Sequence, residues 1–131
     1  MTVSGFLLDT HALLWWVHQP NLLSDRAHDL LLDGRSEIFA SPVSAMEIAT
    51  KNRLGKMPFE SELVRQFAEQ VDQEGFVHLP ITAVHAQLAG GFPQPHRDPW
   101  DRLLAAQGQL ERLTLITCDE KLNGFGVKTL W

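Results

Sequence analysis

The sequence predicts an α/β domain with a central, mostly parallel sheet flanked by helices. Three observations carry this reading. Short apolar runs alternate with longer segments at helical spacing along the whole chain. The first run, Phe6-Leu7-Leu8, is apolar at consecutive positions, as in a strand buried on both faces. Asp9-Thr10 then ends that run abruptly, as a strand end does.

The elements follow in order. Val3 to Leu8 reads as the first strand, and Ala12 to Val17 as a short helix stopped by Pro20. Ser24 suits the N-cap of a second helix reaching about Asp33, with Ala27, Leu30 and Leu31 inward. Glu37–Ala40 is the second strand. Ser44 and Glu47 match a capping box, Ser44 at the N-cap and Glu47 at the third helical position, for a helix towards Arg53. Gly55 and Pro58 mark its end. Glu60 to Glu74 reads as the longest helix, because Leu63, Val64, Phe67, Ala68 and Val71 recur at helical spacing.

Phe76–Leu79 suggests a third strand, and Thr82 caps a short helix containing Val84, Ala86, Leu88 and Ala89. Gly90, Gly91, Pro93 and Pro95 make a rigid loop. Asp98 then serves as N-cap and Pro99 as first residue of a helix lasting to about Glu111. Leu113–Thr117 is the fourth strand. Cys118-Asp119 turns into a short helical piece, and Val127–Trp131 forms a fifth, edge strand. Residues 1–131 thus make one domain, with no repeat or low-complexity tract. Strand order is not legible in these patterns.

Composition narrows the function classes. Hydrophobic residues make up 44% of the chain, which supports a sizeable core and argues against disorder. Cys118 is the one cysteine, so an intramolecular disulfide is excluded and a reducing compartment fits. The opening lacks a signal-like segment, and no apolar run approaches the roughly 20 residues a bilayer span needs. The expectation is a cytoplasmic protein without a membrane role. The net charge of -5 opposes general nucleic-acid binding. Local basic patches remain open, one around Lys51, Arg53 and Lys56 and another around Arg97, Arg102 and Arg112.

The chemistry-bearing residues are carboxylates. Asp9 and Asp119 each follow an apolar strand, and the carboxyl ends of parallel strands surround the usual functional crevice. Either could instead cap the next helix. Thr10 is placed to orient the Asp9 carboxylate. Glu47 is explained by its capping box, yet a side chain there can also reach the crevice. Asp98 and Asp101, three apart, share a helix face; Asp98 has the stronger capping explanation, so Asp101 ranks above it as a metal ligand. Asp9, Asp101 and Asp119 could meet, with Glu47 beside them. A divalent cation would offset their repulsion and desolvation, and oxygen ligands suit Mg²⁺ or Mn²⁺, one ion or two. His11 and His96 lack a zinc-site pattern and read as packing or hydrogen-bonding groups. Trp15, Trp16 and Trp100 read first as packing residues. There is no Walker loop and no dinucleotide fingerprint.

The ordered motifs resemble the PIN-domain ribonucleases, specifically the VapC-type toxins of bacterial toxin–antitoxin pairs. The resemblance is carried by FLLDTHALLWW from Phe6 to Trp16, SPVSAMEIATK from Ser41 to Lys51, Leu54-Gly55-Lys56, HRDPWDRLLAAQ from His96 to Gln107, LITCD from Leu115 to Asp119, and Leu130-Trp131. It implies a three-layer PIN-like fold and hydrolysis of RNA phosphodiester bonds by metal-activated water. Asp9, Asp101 and Asp119 would hold the metal. Glu47 would hold it or position the nucleophile, and Asp98 would act as ligand, support or cap. Thr10, Ser44 and Thr117 would support the site. Lys51, Lys56 and Arg102 are candidate RNA phosphate contacts. The resemblance also implies a cognate antitoxin and a homodimer. The rival readings are a noncatalytic RNA- or protein-binding module, and a metal-dependent nuclease or phosphatase with another substrate.

Overall fold

The computed structural model describes residues 5–131, so the part of the first strand expected at Val3 and Ser4 lies outside the described residues. Five strands form one sheet: β1 (Gly5–Leu8), β2 (Glu37–Ala40), β3 (Val77–His78), β4 (Thr114–Ile116) and β5 (Thr129–Leu130). Their spatial order is β3-β2-β1-β4-β5, and every pairing is parallel. The helices are α1 (Thr10–His18), α2 (Asp25–Asp33), α3 (Pro42–Arg53), α4 (Phe67–Gln73), α5 (Ala83–Gly91) and α6 (Pro99–Glu111).

The pleat divides the core. Phe6 and Leu8 of β1 and Ile116 of β4 face one apolar layer with Leu13, Leu14, Ala27 and Leu31. Leu7 and Leu115, one step out of phase, face the other with Leu104, Ala105, Leu122 and Phe125. Leu7, Leu8, Leu115 and Ile116 have no exposed surface, as expected for central strands covered on both faces. The result is the three-layer α/β arrangement expected.

Two expectations are corrected. The cap of α3 is Ser41, whose Oγ accepts the Val43 N–H at 3.1 Å, with Pro42 at the first helical position. A proline without an N–H is well placed there, so the helix starts three residues earlier than a Ser44 cap requires. The Glu60–Glu74 segment is not one helix either. It splits into a 3₁₀ turn at Glu62–Val64 and α4, separated by Gln66 at φ -124 and ψ 46. Leu63 of the turn and Val71 of α4 are both buried in the same apolar layer. In addition, Gly90 and Gly91 close α5, so the loop begins at Phe92.

Candidate active site

The strand order creates the site. From β1 the chain moves outward to β2 and β3, then returns across the sheet to β4 and β5. The order therefore reverses between β1 and β4, and open parallel sheets bind ligands outside the carboxyl ends at such a point. Asp9 follows β1 and Asp119 stands just beyond β4, flanking it. The Asp9 N–H donates to the Ile116 carbonyl at 3.1 Å, which ties the two strand ends together.

Asp9 is 6% exposed and caps α1, its Oδ1 accepting the Ala12 N–H at 2.7 Å. Burial pushes its carboxyl up to about 6, against the nearby Thr117 hydroxyl, the Ala12 N–H and His11; the charge of Asp101 raises it further. Thr117 serves both strand ends, since its Oγ1 also accepts the Asp119 N–H at 3.0 Å. Asp119 in turn caps the 3₁₀ segment at Glu120–Phe125 through the Lys121 N–H.

Asp98 caps α6 by accepting the Trp100 and Asp101 N–H groups at 2.9 and 3.4 Å. Asp101, in the first turn, pairs with His96 at 2.8 Å, Nε2 to Oδ2. Burial raises its carboxyl above the ordinary range, and the charges of Asp98 and Asp119 add to this, against the His96 contact. The charge of Asp101 is thus near enough to act on Asp9, and that of Asp119 near enough to act on Asp101. Cys118 between them is also raised, by burial first and then by Asp9 and Asp119.

Glu47 lies on a different element, α3. With Ser41 as the cap, Glu47 lies in the second turn of α3, and no capping role accounts for it. Ser44 is fully buried and shares a 3.0 Å hydrogen bond with Thr10, next to Asp9. Glu47, one turn after Ser44, is 6% exposed and pairs with Lys51 at 2.6 Å.

The donor chemistry fits a hard divalent cation: several carboxylates, one of them strongly desolvated at a strand end. Among the described residues, however, no three His, Cys, Asp or Glu side chains are gathered closely enough to hold a metal ion. Asp101 is turned to His96 and Glu47 to Lys51, so a cation would have to draw these side chains from their present partners.

Arg102, a candidate phosphate contact, is engaged within the protein. Its guanidinium donates to the carbonyls of Ala89, Phe92, Gln94 and His96 at 2.6–2.9 Å. It clamps the loop ahead of α6, and so holds His96 against Asp101. A Pro-rich loop with few ladder partners for its carbonyls, followed by an arginine in the first helical turn, is the signal that could have revealed this.

The fold is a parallel α/β sheet with acidic groups at its switch point. Residues 6–128 match the PIN domain, and the chain belongs to that family. Its fold resembles VapBC from Salmonella typhimurium bound to DNA, with TM-score 0.69, 13% identity and coverage of 98% of each chain. VapBC2 from Rickettsia felis, bound to a DNA fragment from its promoter, gives 0.68 at 14% identity over 97% of this chain and 98% of that one. A toxin–antitoxin complex from Klebsiella pneumoniae gives 0.60 at 20% identity over 88% of each. At these identities the likeness establishes the fold. No curated protein matches the sequence. No helix among the described residues is long and apolar enough to cross a membrane.

Proposed function

We propose that this PIN-domain protein is a Mg²⁺- or Mn²⁺-dependent endoribonuclease and the toxin of a toxin–antitoxin pair, working in the cytoplasm. The observation that carries the reading is the charge of Asp101 acting on Asp9, and that of Asp119 acting on Asp101, beside the sheet's switch point. Asp9, Asp101 and Asp119 would hold the cation, with Glu47 and Asp98 as further ligands or supports. When bound, a divalent cation supplies charge stabilisation at phosphoryl oxygens and makes water a better nucleophile.

The chain's own residues prepare that site. Thr117 orients both strand-end aspartates, and Thr10 with Ser44 fixes α1 against α3. His96 holds Asp101 and is a candidate to carry its proton. Lys51 and exposed Lys56 would contact RNA phosphates. The likeness to toxin–antitoxin complexes supports a cognate antitoxin as partner, and a homodimer is the accompanying expectation. Purified protein should cleave RNA in Mg²⁺ or Mn²⁺ and not in EDTA. Asp101→Asn should reduce the rate by about 100-fold or more, beyond the loss typical of an outer-shell residue. Undiminished cleavage by that variant, or cleavage in EDTA, would reject the mechanism.

A further inference from the structure

Beside the acidic group runs a row of aromatic rings that the catalytic reading does not use. His11 and Trp15, four apart on α1, lie on one helix face with ring centroids 5.6 Å apart. Trp131 continues the row, its ring 5.6 Å from that of Trp15. His11 is exposed, and Trp15 and Trp131 are half-buried, so all three keep surface towards solvent. The row has a hollow on either side. One, of about 130 Å³, is lined by His11, Trp15, Lys51 and Lys56. The other is lined by Thr117, Asp119 and Trp131. The rings therefore bridge from Asp119 to the lysines.

Aromatic faces beside cations suit a single-stranded nucleic acid. Bases stack on the rings irrespective of sequence, and phosphates meet the ammonium groups. A duplex offers its bases no such access. We propose that His11, Trp15 and Trp131 form a stacking platform for RNA bases flanking the scissile phosphate. This rests on the ribonuclease reading. Trp15 and Trp131 both also pack on the core, so exposed His11 makes the cleanest probe.

The test is fluorescence anisotropy in EDTA with a labelled single-stranded RNA of about 12 nucleotides and an abasic ribose-phosphate chain of equal length. Wild-type protein should bind the base-bearing chain about tenfold more tightly. His11→Ala and Trp131→Leu should each shrink that preference at least about threefold, and Trp131→Phe should restore it. Lys56→Ala should weaken both chains alike. Should Trp131→Leu fail to fold by circular dichroism, His11→Ala and Trp131→Phe decide the matter, because His11 is exposed. Equal affinity of wild type for the two chains, or an unchanged preference in His11→Ala, overturns the platform. Metal-dependent RNA cleavage by the same preparation would then leave the ribonuclease reading intact. Absence of both cleavage and binding to either chain would sink both.

Discussion

The two ends of the sheet are built on opposite principles. At the carboxyl ends of β1 and β4, charge is brought where solvation is poor: Asp9 is 6% exposed and its carboxyl is pushed up to about 6. At the amino ends, small residues let apolar groups close up. A Cβ on Gly5 would stand 2.6 Å from Leu113 Cδ2, and one on Gly108 would stand 2.7 Å from Val127 Cγ2 and 3.4 Å from the Leu113 carbonyl. One end carries frustrated electrostatics, the other tight packing. Frustration that folding alone does not need marks a functional end.

The comparison can be broken by mutation. Gly108→Val should be the most damaging to stability, lowering it by about 3 kcal/mol through overpacking against the stiff Val127 side chain. Its cleavage rate per folded molecule should stay at the wild-type level, as urea unfolding and an activity assay can show. A catalytic loss without destabilisation would mean the ends are not separate.

Asp9→Asn should act the other way on stability. A carboxyl raised in the folded state binds its proton more tightly than the unfolded chain does. The stability this gives is complete below about pH 4 and is lost as pH rises through about 6. Without metal, wild type should therefore weaken over that window, by up to about 3 kcal/mol. Asp9→Asn keeps an oxygen for the Ala12 N–H, loses the charge, and should be the more stable protein at pH 7 while losing cleavage. Thermal unfolding across pH measures this, and a less stable variant at pH 7 would refute the account of desolvation.

Arg102→Ala should cost about 2–3 kcal/mol, because the carbonyls of Ala89, Phe92, Gln94 and His96 lose a charged donor. Lysine should not rescue it, since one ammonium cannot span that set. Proteolysis of the 92–98 loop would report the release. The smallest effect should come from Asp98→Ala, about 1 kcal/mol for a lost cap. A much larger loss of activity than of stability in Asp98→Ala would promote Asp98 from cap to metal ligand.

Much of the fold was legible in local chemistry. Asp98 followed by Pro99 marked the start of α6, and Ser24 that of α2, because caps satisfy N–H groups within a few residues of themselves. Where two local signals competed, reading was harder. Ser44-Glu47 reads as a helix start, but Pro42 takes the first helical position with Ser41 as cap, and Ser44 bonds Thr10 across the core instead. The periodicity of Leu63 and Val71 was real, but a break at Gln66 is invisible to periodicity.

By itself, then, the order of residues determined an α/β chain, the placing of Asp9 and Asp119 after strands, and the cap at Asp98, since each depends on neighbours close along the backbone. Only the tertiary structure decided the strand order, the bond between Thr10 and Ser44, the clamp made by Arg102, and the row from His11 to Trp131. Those depend on which distant segments pack together, and that is settled by burial of both sheet faces at once rather than by any local preference.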